Sequence, residues 1–104
     1  MIKREKRRYL ALQIIGKHHF NEYTVLDAVQ SSVCRLFGEY GASKTGIKLI
    51  KSIPEKNQLI LRCSHLMLEK VRASIALTSE INGRSTSIHV VGVSGTLKAL
   101  LKKI

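Results

Sequence analysis

Ile47-Lys48-Leu49-Ile50-Lys51-Ser52-Ile53, then Pro54-Glu55-Lys56-Asn57, then Gln58-Leu59-Ile60-Leu61-Arg62-Cys63, has the form of two strands joined by a turn. From Gly46 to Ile53, Ile47 and Leu49 lie opposite Lys48 and Ile50; from Gln58 to Cys63, Leu59, Leu61 and Cys63 share one face. Alternation with period two marks a half-buried strand. The proline sits early in the intervening turn, where its fixed φ suits the chain reversal, so the two runs pair as a hairpin.

On both sides of this hairpin the period changes from two to that of a helix. Upstream, Val25, Val29, Ser32/Val33, Leu36 and Tyr40 recur beside Leu26 and Phe37. Thr24 is the expected N-cap, with Asp27 at the capping-box position, and Gly38 and Gly41 bracket the far end. Downstream, Ser64 is expected to cap a helix that buries Leu68, Val71 and Ile75, turns Glu69, Arg72 and Ser79 outward, and stops at Asn82-Gly83. Further out, Leu10, Leu12 and Ile14 alternate with Tyr9, Ala11 and Gln13 in a strand from Arg8 to Ile15. A strand from Thr86 to Val93 sets Ile88 and Val90 against His89 and Val91. A short terminal helix follows, apolar at Leu97, Leu100/Leu101 and Ile104. The order β-α-β-β-α-β plus one helix predicts an α+β, ferredoxin-like or RRM-like α-β sandwich: a four-stranded antiparallel sheet with two helices on one face. One domain over residues 1–104 is expected, with Met1 to Arg7 as a basic amino-terminal stretch.

Two helices cover one side of such a sheet. The other should present Tyr9, Ala11, Gln13, Lys48, Ile50, Ile60, Arg62, His89 and Val91. Half of that set is apolar, so the terminal helix, a partner protein or RNA is expected to cover part of it. Ile50, Ile60, Val91 and Val93 form one candidate partner surface, edged by Lys48 and Arg62, and Leu36 with Phe37 form a second. The alternative for the first patch is an internal satellite core closed by the terminal helix.

Among the 104 residues, 18 Lys+Arg against 7 Asp+Glu give a net charge of +11. Nucleic acid is the partner such a surplus points to first. No apolar run has the length of a membrane span, and the basic start leads into no secretory cleavage site, so a cytoplasmic location is expected. Cys34 and Cys63 are far apart in sequence and inside apolar patterns, which argues against a disulfide scaffold. The carboxylates occur singly, without the cluster a metal-dependent nuclease needs. Cys63-Ser64-His65 lacks a second ligand pair at finger-like spacing, so Cys63 reads as structural. His18-His19 offers an acid-base pair in principle, although solvated loop histidines account for it more simply. Ile15-Gly16-Lys17-His18-His19 has one glycine, too few for the phosphate loop of an acylphosphatase. Stacking aromatics of the RNA-recognition kind are missing too, with Tyr9 on one middle strand and none on the other.

The basic residues group at Lys3 to Arg8, around Arg62, Lys70 and Arg72, and at Lys98, Lys102 and Lys103. Phosphate contact rather than base readout is the expected mode. In Gly92-Val93-Ser94-Gly95-Thr96, Ser94 and Gly95 are a candidate phosphate contact, with an ordinary capped turn as the other reading.

Four stretches carry a resemblance. Leu36-Phe37-Gly38-Glu39-Tyr40-Gly41-Ala42, Leu61-Arg62-Cys63-Ser64-His65, Glu69-Lys70-Val71-Arg72-Ala73 and Gly92-Val93-Ser94-Gly95-Thr96-Leu97-Lys98-Ala99-Leu100 resemble, in order and separation, the archaeal ribonuclease P protein component 2 family. The similarity spans roughly Arg8 to Lys103. It implies a subunit, itself without an active site, of the ribonucleoprotein that cuts the 5′ leader from precursor tRNA, in which the RNA is the catalyst and uses Mg²⁺. It implies as partners the ribonuclease P RNA, protein component 3 in a heterodimer whose pairs form a heterotetramer, the other ribonuclease P proteins and, indirectly, precursor tRNA. No cofactor is implied for the chain itself, and its shortness favours an archaeal protein. A freestanding basic RNA-binding module, such as a ribosome-associated one, is the alternative.

Overall fold

The computed structural model describes residues 6–16, 20–81 and 83–104, without the side chains of residues 42 and 43. Its elements are β1 (Arg7–Ile15), α1 (Glu22–Ser43), β2 (Lys48–Ile53), β3 (Gln58–Ser64), α2 (Leu68–Leu77), β4 (Glu80–Ile81), β5 (Arg84–Ser85), β6 (Ser87–Ser94) and α3 (Leu97–Lys103). The main sheet has the order β2-β3-β1-β6, every neighbour antiparallel. That is the split β-α-β arrangement the hairpin predicts.

Three layers result. Val25 and Val29 of α1 and Val71 and Ile75 of α2 pack on Leu10, Leu12, Ile14, Leu59, Leu61, Cys63 and Ile88. Beneath the sheet, α3 lays Leu100 on Ala11 and Ile60, with Tyr9, Ile50, Ile53, Leu97 and Ile104 around them. Central β1 is therefore covered on both faces, and Leu10, Ala11 and Leu12 are each 0% exposed. Burying apolar area on both faces of one strand ties the two helical layers to a common scaffold.

Helix boundaries depart from the sequence reading for local reasons. Asn21, not Thr24, caps α1: its Oδ1 accepts the Tyr23 N–H at 2.8 Å, while its carbonyl takes the N–H groups of Thr24 and Val25. Asn is a better cap than Thr and stands one turn ahead of Val25, where the apolar period begins. Gly38, at φ 74° and ψ 172°, breaks the helix between Phe37 and Glu39, so the glycine supplies a positive φ before the expected end. Ser64 belongs to β3, with its N–H bonded to Thr45 O, and a 3₁₀ turn at His65–Met67 precedes α2. The second helix stops at Leu77, short of the expected Asn82-Gly83. Thr78 is extended there, and its hydroxyl donates to Ser74 O at 2.8 Å and lies 2.7 Å from Ser32 Oγ. Such a side-chain bond to the previous turn competes with helix continuation. Beyond it, β4 and β5 make a small hairpin, with Gly83 at φ 78°.

Two irregularities reset the faces of the sheet. The β1–β6 register shifts between Ala11 and Leu12, so Gly92 lies opposite Ala11 and Val90 opposite Leu12, leaving Val91 as the extra residue. The β2–β3 register shifts likewise, with Leu49 opposite Leu61 and Lys51 opposite Ile60, leaving Ile50 extra. Each bulge inverts the alternation beyond it. Val93, expected on the face away from α1 and α2, consequently packs against their core, and Gly92 comes to lie under α3.

Candidate nucleic-acid interface

Charge is sorted by layer. The four main strands and α3 carry Arg7, Arg8, Lys48, Lys51, Arg62, Lys98, Lys102 and Lys103, and no Asp or Glu at all. The helices α1 and α2 mix Glu22, Asp27, Glu39 and Glu69 with Arg35, Lys70 and Arg72. Glu55 sits in the turn after β2 and Glu80 in the small hairpin. Apart from Arg8, which lies on the face toward α1 and α2, these charges belong to the sheet-and-α3 side, whose elements carry cations and no acids, an arrangement that favours a polyanion there.

At one end of that side a register row crosses all four strands. Lys48 lies opposite Arg62, Arg62 opposite Tyr9, and Tyr9 opposite Ser94. Lys48 is exposed and the other three are half-buried. Nε of Arg62 is buried without a hydrogen-bond partner. Arg8 points from the other face of β1, yet its Nη1 comes within 3.7 Å of where a Cβ on Gly95 would stand. After the row the chain enters α3, whose N-cap Thr96 accepts the Ala99 N–H on its side-chain oxygen at 3.2 Å. Lys103 at the far end donates to Val93 O at 3.1 Å, pinning α3 to β6.

The structure divides the residues singled out from sequence. Arg62, Ser94, Lys98, Lys102 and Lys103 fall on the acid-free elements, and Gly95 lies in the bend between β6 and α3. Lys70 and Arg72 do not: α2 lies across the sheet from them, Lys70 Nζ rests 5.4 Å from the centre of the Phe37 ring, and Arg72 lines a groove between α2 and β6. Of the candidate partner patch, Ile60 is 0% exposed within this one chain, so the internal satellite core is the arrangement found and a partner is not needed to cover it. Ile50 packs against the same cluster, and Val93 turns to the opposite core. Val91, pushed out by its bulge, is 47% exposed, and Leu36 on α1 is 41% exposed beside half-buried Phe37. His18 and His19 lie outside the described residues. Cys63 is buried, and burial pushes its thiol from 9.0 up to about 11, partly opposed by the Arg8 guanidinium. A thiol so far above neutrality stays protonated and unreactive, as a packing residue should. Among the described residues no group of three or more His, Cys, Asp or Glu is placed to hold a metal, and no helix is long and apolar enough to cross a membrane.

The sequence reading placed Lys48 on the open face and Arg7 in the amino-terminal basic group, but passed over Lys51 and did not join the three into one surface. Their signal was the absence of acids from every strand run, visible only once those runs are known to share a layer.

The profile of the Rpp14/Pop5 family matches residues 8–104, from the second residue of β1 to Ile104, the residue after α3. The chain belongs to that family. Curated relatives agree along the same length. The Ribonuclease P protein component 2 of Pyrococcus furiosus is 37% identical over 100 residues, covering 96% of this chain and 83% of the relative. That of Methanosarcina mazei is 35% identical over 100 residues, covering 96% and 84%. The protein of the same name from Methanobrevibacter smithii is 35% identical over 108 residues, covering 97% and 90%. A chain in the cryo-EM structure of yeast Ribonuclease MRP superposes with a TM-score of 0.68 at 17% identity, covering 93% of this chain and 79% of that one. At that identity the superposition establishes the shared family fold.

Proposed function

We propose that this chain is a protein subunit of ribonuclease P, acting in removal of the 5′ leader of precursor tRNA by binding and stabilising the RNA that performs the cleavage. The observation that carries the reading is the acid-free sheet-and-α3 layer in a chain that matches ribonuclease P protein component 2 along nearly its whole length. Cationic side chains held on a rigid sheet screen phosphate repulsion, so a folded RNA stays compact at lower Mg²⁺. The catalytic Mg²⁺ is held by RNA, and this chain contributes position and charge, not reacting groups. Its protein partners are component 3, in two pairs that join as a heterotetramer, and the other ribonuclease P proteins. Of the apolar residues singled out from sequence for such contacts, Val91, Leu36 and Phe37 keep exposed surface. Cytoplasm is the proposed location.

Reconstitution tests this reading. Adding the chain to ribonuclease P RNA and the remaining proteins should raise cleavage of precursor tRNA at moderate Mg²⁺. No gain, or cleavage by the chain without any RNA subunit, would overturn it.

A further inference from the structure

We infer that the row Lys48–Arg62–Tyr9–Ser94 is a track for an RNA phosphodiester backbone, laid across the strands at the end of the sheet that stays part-exposed; this rests on the ribonuclease P reading for the identity of the RNA, not for the chemistry. Lys48 and Arg62 stand directly opposite on neighbouring strands, where like charges destabilise a sheet. No carboxylate on any main strand or on α3 relieves them. Arg62 Nε is buried with its N–H unpaired, so no protein acceptor holds the guanidinium at that nitrogen, and a ligand would have to be met by the outer nitrogens of the half-buried side chain. A phosphate oxygen accepts from those nitrogens and neutralises the pair. Three strand spacings make the row roughly 14 Å wide, long enough for successive phosphates of one strand rather than a single free anion. Bases are kept off the middle of the sheet, because Leu100 seals Ala11 and Ile60. Contact is therefore with the backbone and indifferent to sequence.

The test measures binding of the full chain to a transcribed ribonuclease P RNA and to a length-matched RNA of scrambled sequence, over a potassium chloride series. Lys48→Gln and Arg62→Gln should each lower the slope of log affinity against log salt by about 0.7–0.9 on both RNAs, and Arg72→Gln, on α2, should leave it unchanged. Unchanged slopes in both row variants, or a loss confined to one RNA, would overturn the track. Inorganic phosphate at matched ionic strength should displace little RNA; full displacement means a single-anion site and contradicts the proposal. Lys48→Glu separates binding from folding. It should weaken RNA binding while the free chain melts no lower than wild type at low salt, since the new carboxylate faces Arg62. A fall in both makes the row structural, and the proposal fails. Normal slope effects without any stimulation of precursor tRNA cleavage would remove the ribonuclease P reading and support the track.

Discussion

Gly92 and Ala11 sit opposite each other on neighbouring strands, and their lack of bulk makes the shallow bed in which α3 lies. A Cβ at Gly92 would stand 3.0 Å from Leu100 Cδ1, a tight contact that needs the leucine to give by a few tenths of an ångström, and in ordinary contact at 3.6 Å with Ile104 Cγ2, so the two further methyls of a valine would crowd α3. Gly92→Val should therefore lower stability by about 1–3 kcal/mol, the usual effect of overpacking, in urea denaturation; an unchanged midpoint means α3 adjusts freely. Cys63 and Cys34 give a contrast in reactivity. With Cys34 exposed and the Cys63 thiol buried and raised to about 11, a thiol reagent at pH 8 should label one cysteine in the native chain and two after unfolding. The raised value also sets a pH window. Because the folded chain favours the neutral thiol, its contribution is complete below 9.0 and is lost as pH rises through about 11, so alkaline melting should steepen in that interval and flatten in Cys63→Ala.

Elements that obey one period were legible, and elements that change period were not. The hairpin of β2 and β3, the apolar stripes of α1 and α2 and the β-α-β-β-α-β order all follow from alternation and helical spacing. The bulges at Ile50 and Val91 escaped because a single extra residue inverts a face without altering composition, although the adjacent pairs Leu49-Ile50 and Val90-Val91 already interrupt the alternation. The β4–β5 hairpin escaped because Gly83, which serves a reversal between two-residue strands at positive φ, reads equally well from sequence as the end of a helix. In the same way Thr24 drew the cap that Asn21 makes. Asn21→Ala should accordingly cost about 0.5–2 kcal/mol and Thr24→Ala much less, in parallel thermal melts. For α3 the packing is decisive over the cap. Leu100→Ala opens a cavity over Ala11 and Ile60 and should cost about 2–5 kcal/mol. Ile60→Asp should unfold the isolated chain, whereas a stable monomer that merely fails to pair would show that a partner, not α3, covers Ile60.

Over the whole molecule, the +11 charge was countable from the sequence, but its distribution was not. Lys70 and Arg72 looked equivalent to Arg62 because they are neighbours along the chain; the sheet puts them on opposite sides. What the fold adds is this sorting, with acids admitted only to α1, α2, the turn after β2 and the small hairpin among the described residues. With charge sorted in this way, RNA is expected to meet the sheet-and-α3 side. Two variants of equal net charge in reconstituted ribonuclease P distinguish the sides: one with Lys48, Arg62 and Lys98 changed to Gln, the other with Arg35, Lys70 and Arg72 changed to Gln. The measurement is the Mg²⁺ concentration giving half-maximal cleavage of precursor tRNA. The first variant should need clearly more Mg²⁺ and the second should stay near wild type; equal shifts, or a larger shift in the second, would contradict the account.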